Sequence, residues 1–265
     1  MSEFPRNDLE AAMQHAAEDA ALRPQFYSAL LDSTIYVIGD AQTDMHRDEF
    51  RISAGDTLTL ASFTFEDGEP YIPFFTSLEA LTESVSGEVS YMSFKARELF
   101  DSTRGNSFVL NPGQPLAKEF TPEEITGMLE GRPEPDITER QLDAGTEVHI
   151  GQPADYPVDM VDALTRLFSR HGIVRRAYLA QLLVPEKETE QLSLLVALDI
   201  DGEPEKTYRD MEIVIADTAP PGRPVDITLL TGGDNFVDNY FQTADVAPFY
   251  ERSWGQRLKG FFVRG

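Results

Sequence analysis

Apolar residues recur at two different spacings along this chain, and the change from one to the other marks its elements. Over residues 8–20, Leu9, Ala12, Met13, Ala16 and Ala20 fall three and four apart, which places them on one helical face, with Asn7 in the N-cap position. A second short helix begins at Pro24 and buries Phe26, Leu30 and Leu31. The period then shortens to two. Residues 34–38 read as a strand, and residues 57–65 and 71–75 as a hairpin around Asp67-Gly68. Pro73 has no N–H to give to a ladder, so its run predicts an edge strand or a bulge. Thr76-Ser77-Leu78-Glu79 spells a capping box that opens a helix closing near Gly87. Residues 89–93 then read as a strand, 94–101 as a helix and 107–110 as a strand.

The stretch from Asn111 to Leu129 is the most explicit. Pro112 and Gly113 supply the two backbone conformations of a type II turn in Asn111-Pro112-Gly113-Gln114. Thr121-Pro122-Glu123-Glu124 is a capping box with proline at the first helical position, where a missing N–H costs nothing. From 131 to 147 apolar content falls and two prolines alternate, which predicts a linker.

Beyond it, residues 148–150 read as a strand and about 157–171 as a helix whose Val161, Leu164, Leu167 and Phe168 share a face, stopped by Gly172. Strands at 174–184 and 191–199, a helix over 204–216 and a strand at 225–230 complete a β-α-β-β-α-β order. The expectation is therefore an α+β protein of two domains. Residues 1–131 form a mixed sheet with short helices and 132–147 a linker. Residues 148–265 form a ferredoxin-like sandwich, a four-stranded antiparallel sheet with both helices on one face.

Composition narrows the function classes. With 265 residues, each half can bury its own core. No apolar run approaches the roughly 20 residues of a membrane span, and the acidic start is no signal peptide. The chain has no cysteine, which removes disulfides and thiol chemistry and favours the cytosol. Its 46 acids against 22 bases give a net charge of −24, which disfavours nucleic-acid and membrane-surface partners and suits a basic protein partner or a salty cytoplasm.

Candidate chemistry is sparse. His15, His46, His149 and His171 have no ligand spacing, so no metal is expected, and no phosphate-cradling or nucleophile-elbow motif implies a cofactor. Gly232-Gly233-Asp234-Asn235 and Asp199-Ile200-Asp201-Gly202 read as turns, and Glu123 and Glu124 as a helix cap, so no catalytic residue is assigned. Tyr240, Phe241, Phe249, Tyr250 and Trp254 form an aromatic stretch beside basic residues. They are the candidate binding residues, set against a reading as core.

Several short motifs, taken in order, resemble the bacterial enhanced serine sensitivity (SseB) family. Ala20-Ala21-Leu22-Arg23-Pro24, Tyr71-Ile72-Pro73-Phe74-Phe75 and Asn111-Pro112-Gly113 are similar to its N-terminal domain. Gln152-Pro153-Ala154-Asp155-Tyr156-Pro157, Leu195-Val196-Ala197-Leu198-Asp199, Tyr240-Phe241 and Pro248-Phe249-Tyr250 are similar to its C-terminal domain. The resemblance implies a two-domain bacterial cytosolic protein. The family's name records a phenotype rather than a reaction, so no catalytic residue carries over. The expected function is non-catalytic binding of a protein partner or small metabolite, linked to amino-acid metabolism. The alternatives are an enzyme of small amino-acid-like substrates whose site assembles only in three dimensions, and an acidic immunity or adaptor protein.

Overall fold

The computed structural model describes residues 4–41, 58–131, 148–185, 190–233, 235–244 and 246–253. The expected linker and Trp254 lie outside these residues, as does most of the loop from Gly39 to Asp56. The chain forms two compact units. One comprises Met1–Glu18 with Gln25–Arg132, and the other Asp19–Pro24 with Pro133–Gly265.

In the first unit the three-and-four spacing yields α1 (Asp8–Glu18), which buries Leu9, Glu10, Met13 and Ala16. After a single 3-10 turn, α2 (Arg23–Asp32) leads into β1 (Thr34–Ala41), β2 (Leu58–Leu60), β3 (Phe63–Thr64) and β4 (Pro70–Phe75). Then come α3 (Leu78–Ser84), β5 (Tyr91–Lys95), α4 (Ala96–Ser102), β6 (Ser107–Leu110), β7 (Lys118–Phe120) and α5 (Pro122–Glu130). The sheet runs β2-β1-β4-β6-β7, with β3 also on β4 and β5 also on β1. It is mixed, because β4 and β6 are parallel while β1 is antiparallel to β2, β4 and β5.

Two local expectations are corrected. β4 is not an edge strand, since β6 pairs along one side of it and β3 and β1 share the other. The β3 register ends at Tyr71 and the β1 register begins at Phe74, so Pro73 lies in the gap, where no N–H is required. The cap of α3 is Ser77, whose hydroxyl accepts from the Ala80 N–H, rather than Thr76. Thr76 is engaged elsewhere. The capping box at Thr121 and Glu124 is present as read, and Gly131 ends α5 in a left-handed conformation. The core is aromatic: Phe74 sits 5.5 Å from Phe100 and 5.9 Å from both Phe108 and Phe120.

The second unit contains β8 (His149–Gly151), α6 (Val158–Arg170), β9 (Val174–Pro185), β10 (Glu190–Ile200), α7 (Glu205–Thr218), β11 (Val225–Leu229), α8 (Phe236–Thr243) and β12 (Tyr250–Glu251). The β-α-β-β-α-β order holds, but the ferredoxin-like pairing does not. That topology interleaves the first strand between the third and fourth, whereas β10 pairs directly and in parallel with β11 over Leu194–Leu198. The short β8 lies instead with β12 on the far edge of β9. Burial gives the reason. Leu194 to Leu198 are buried on both faces, so β10 is an interior strand, and the five-residue β11 covers its edge where a three-residue β8 would not.

The two expected helices do share one face, and a further helix, α8, lies on the other. α6 and α7 pack on the side that carries Ala177, Leu179, Leu194, Val196 and Leu198. α8 covers the other side through Phe241, over Ala180, Leu182, Leu195 and Ala197. Ala21 is buried in the α6–α7 face, and Asp19 accepts from Arg166 Nε at 2.9 Å and Arg170 Nη2 at 3.2 Å, so this N-terminal segment is part of the second unit's structure. Among the described residues, no helix is long and apolar enough to cross a membrane.

Candidate functional site

An open cleft of about 880 Å³ lies in the first unit, lined by Pro5 to Leu9, Ser33, Thr34, Tyr36 and Thr76 to Glu79. Its walls follow from local chemistry. Asn7 caps α1, accepting from the Glu10 N–H at 2.9 Å, and its own amide donates to the Thr76 carbonyl at 3.2 Å. Ser77 caps α3 on the facing wall.

Behind the wall lies a buried polar chain. The Asn111 Nδ2 donates to Thr76 Oγ1 at 3.1 Å, Thr76 Oγ1 donates to Glu10 Oε1 at 2.6 Å, and the Arg6 N–H donates to Glu10 Oε2 at 2.7 Å. Glu10 and Asn111 are fully excluded from solvent. A buried carboxylate is tolerated only when it is hydrogen-bonded, which explains why Thr76 is committed here and not to capping. Asn111 also takes the Thr76 N–H on its Oδ1 at 3.1 Å and adopts φ 48°, a left-handed conformation that asparagine enters more readily than most residues. The Arg6 guanidinium donates from Nη2 to Glu83 at 2.5 Å, while its Nε and Nη1 are enclosed without a protein partner.

Sequence reasoning missed this network. The available signal was an acid three residues before Met13, on the face that α1 buries.

The second unit holds an arrangement that resembles hydrolytic machinery. Thr207 Oγ1 is 3.2 Å from His171 Nδ1, and His171 Nε2 is 2.9 Å from Asp210 Oδ2, which also accepts from Lys206 Nζ at 2.6 Å. Burial acts to raise the Asp210 pKa but is outweighed by the hydrogen bonds from His171 and Lys206, so the carboxyl is held below its ordinary value. Hydroxyl, imidazole and carboxylate stand in the order of a nucleophilic triad. Thr207, however, is completely buried. His171 is also the C-cap of α6, so the array ties the end of α6 to α7.

The other singled-out motifs have structural tasks. Asp199 and Asp201 are held by Arg175, and Asp201 also by Arg252, in a turn closed by Gly202 at φ 124°. Asp238 accepts from Thr231 Oγ1 at 2.9 Å, the Gly232 N–H at 3.3 Å and the Asn235 amide, and so organises the glycine turn. Desolvation would raise its pKa, but these bonds keep it low. Among the described residues, no group of three or more metal-ligating side chains converges.

The aromatic candidates separate. Tyr250 is buried on the α6–α7 face, where its hydroxyl donates to the Phe168 carbonyl at 3.0 Å, and Phe249 packs beside it. Phe241 is buried on the opposite face with Tyr178 at 5.2 Å. Tyr240 is half-buried, receives a hydrogen bond on its hydroxyl from Gln152 Nε2 at 3.3 Å, and stands one helical turn from the exposed Phe236. Trp254 lies outside the described residues.

Comparison with known proteins agrees with this two-part architecture. Residues 9–127 match the family described as the SseB protein N-terminal domain, and residues 142–252 match the SseB protein C-terminal domain. Protein SseB of Escherichia coli (strain K12) and Protein SseB of Shigella flexneri are each 35% identical over 256 residues, covering 97% of this chain and 96% of the relative. No solved structure matches.

Proposed function

From the premise that the chain belongs to the SseB family, we propose that it is a non-catalytic bacterial protein that acts in the cytosol by binding a protein partner. The carrying observation is the contrast between its two arrangements of polar groups. The hydroxyl–imidazole–carboxylate array is closed to substrate by the burial of Thr207, whereas the open cleft is built from helix caps and hydroxyls backed by the buried Asn111–Thr76–Glu10 hydrogen bonds. Pre-formed hydrogen-bonding walls suit recognition. Tyr240, with the exposed Phe236 on the same helix face, is the accessible part of the aromatic segment and is proposed as a second contact in the second unit.

A small metabolite is the second reading, favoured by the cleft volume of about 880 Å³, which lies within the range of small-molecule sites. The test is reconstitution of the purified chain with the partner captured from native lysate. Saturable, stoichiometric association with no small molecule consumed upholds the proposal. Chemical turnover of an amino-acid-like compound by the purified chain overturns it.

A further inference from the structure

We propose that the cleft of the first unit receives the carboxylate of a small monocarboxylic acid on the guanidinium of Arg6. The inference rests on the small-metabolite reading above and gives that ligand its chemical class. Arg6 lines the cleft, yet its side chain is only 11% exposed, and its Nε and Nη1 are enclosed with no acceptor among the described residues. Every guanidinium N–H is a donor and none can accept, so a charged group withdrawn from water in this way calls for an anion.

The acceptor that Arg6 does have is Glu83, whose Oε2 takes Nη2 at 2.5 Å. Nε and Nη2 point the same way along one edge of the planar group, the edge that a carboxylate grips with both its oxygens. Glu83 fills one prong of that edge and leaves Nε without a partner. Its side chain is 45% exposed, so a ligand carboxylate that displaces it gives up a solvent-screened ion pair for a two-pronged one.

The surroundings set the size and charge of the ligand. Asp8, Glu10, Glu79 and Glu83 stand around the same guanidinium in a chain of net charge −24, so a phosphate dianion or an acidic peptide meets more repulsion than a single carboxylate does. Pro5, Tyr36 and Leu78 line the cleft and offer apolar surface to the body of the molecule.

The test is a fluorine NMR titration of the full chain with para-fluorobenzoate and, separately, its neutral amide, with inorganic phosphate and a peptide of alternating glutamate and serine as competitors. We expect saturable binding of the acid, about tenfold weaker binding of the amide, and about tenfold weaker binding of the acid to Arg6→Gln. Glu83→Ala frees the Nη2 prong and should tighten binding about threefold, whereas Arg97→Gln, which removes an exposed positive charge from α4, should change it by no more than about twofold.

Binding retained in Arg6→Gln, equal loss in Arg97→Gln, or binding not tightened in Glu83→Ala overturns the assignment to Arg6. Circular dichroism reports whether each variant keeps its fold, and the exposed Glu83 gives a reading even where Arg6→Gln does not fold. Equal binding of the amide, or displacement by phosphate at an equal or lower concentration, overturns the carboxylate class and leaves the small-molecule reading standing. Displacement by the peptide at an equal or lower concentration assigns the cleft to an acidic segment of a protein and overturns the small-molecule source. If neither fluorinated probe binds saturably, the inference and the reading it rests on both fall.

Discussion

Asn111→Ala is the sharpest probe of the first unit, because one side chain there does three things. Its Oδ1 accepts the Thr76 N–H at 3.1 Å, its Nδ2 supports the Thr76 hydroxyl at 3.1 Å, and its backbone holds φ 48°. Removing the amide strands a buried Thr76 N–H, at a cost of about 1–3 kcal/mol, and loosens the hydroxyl that satisfies Glu10. Alanine in the left-handed region adds about 1–2 kcal/mol. The sum, about 2–5 kcal/mol, is a large part of the roughly 5–15 kcal/mol that holds a domain folded.

Asn111→Gly loses the same bonds but enters the left-handed region freely, so it should cost about 1 kcal/mol less than alanine. Urea unfolding separates the two, followed by hydrogen exchange at amides of α1 and β4 because two units need not melt together. Equal losses in the two variants would falsify the conformational argument. Losses below about 1 kcal/mol in both would show that the buried chain from Asn111 to Glu10 carries no stability.

Three further outcomes follow from the second unit. The Asp210 pKa is depressed in the folded state, so its contribution is complete above the unfolded carboxylate value of about 4 and is lost as pH falls through the folded value. Asp210→Asn should therefore lower stability at neutral pH by about 2 kcal/mol and flatten the acid side of the stability profile, and an unchanged acid slope would refute the linkage. A hydroxyl-directed fluorophosphonate should leave Thr207 unlabelled by peptide mass analysis, since the residue is fully buried; stoichiometric labelling there would reopen the catalytic reading. Tyr250→Phe, which removes the bond to the Phe168 carbonyl, should cost about 1 kcal/mol in unfolding and leave partner affinity unchanged; a large loss of affinity without loss of stability would return Tyr250 to the binding surface.

The elements themselves were legible because they rest on local physics. The Asn7 cap, the Asn111 turn with its Gln114 N–H on the Asn111 carbonyl at 3.2 Å, and the Thr121 capping box each depend on residues within four positions of one another. Pairing was not legible. The same β-α-β-β-α-β order is compatible with interleaved or sequential strands, and the choice fell to which edge of β10 could be covered along its buried length. Thr76 shows the same limit at one residue. Its spacing to Glu79 offered a cap, but a hydroxyl was needed more urgently by Glu10, 66 positions earlier, because an unsatisfied buried carboxylate costs far more than a missing cap.

The aromatic stretch fared likewise, since a continuous run in sequence was divided between the two faces of one sheet. The sequence by itself determined most of the helices and turns, the Asn7 and Thr121 caps, the acidic character and the two-part family plan, all of which are set by neighbouring residues or by sums over the chain. The tertiary structure alone decided strand order, the burial of Glu10 and Thr207, and the cleft that brings residues 5–9 beside residues 33–36 and 76–79. Those depend on free energies of desolvation between residues that no local spacing brings together.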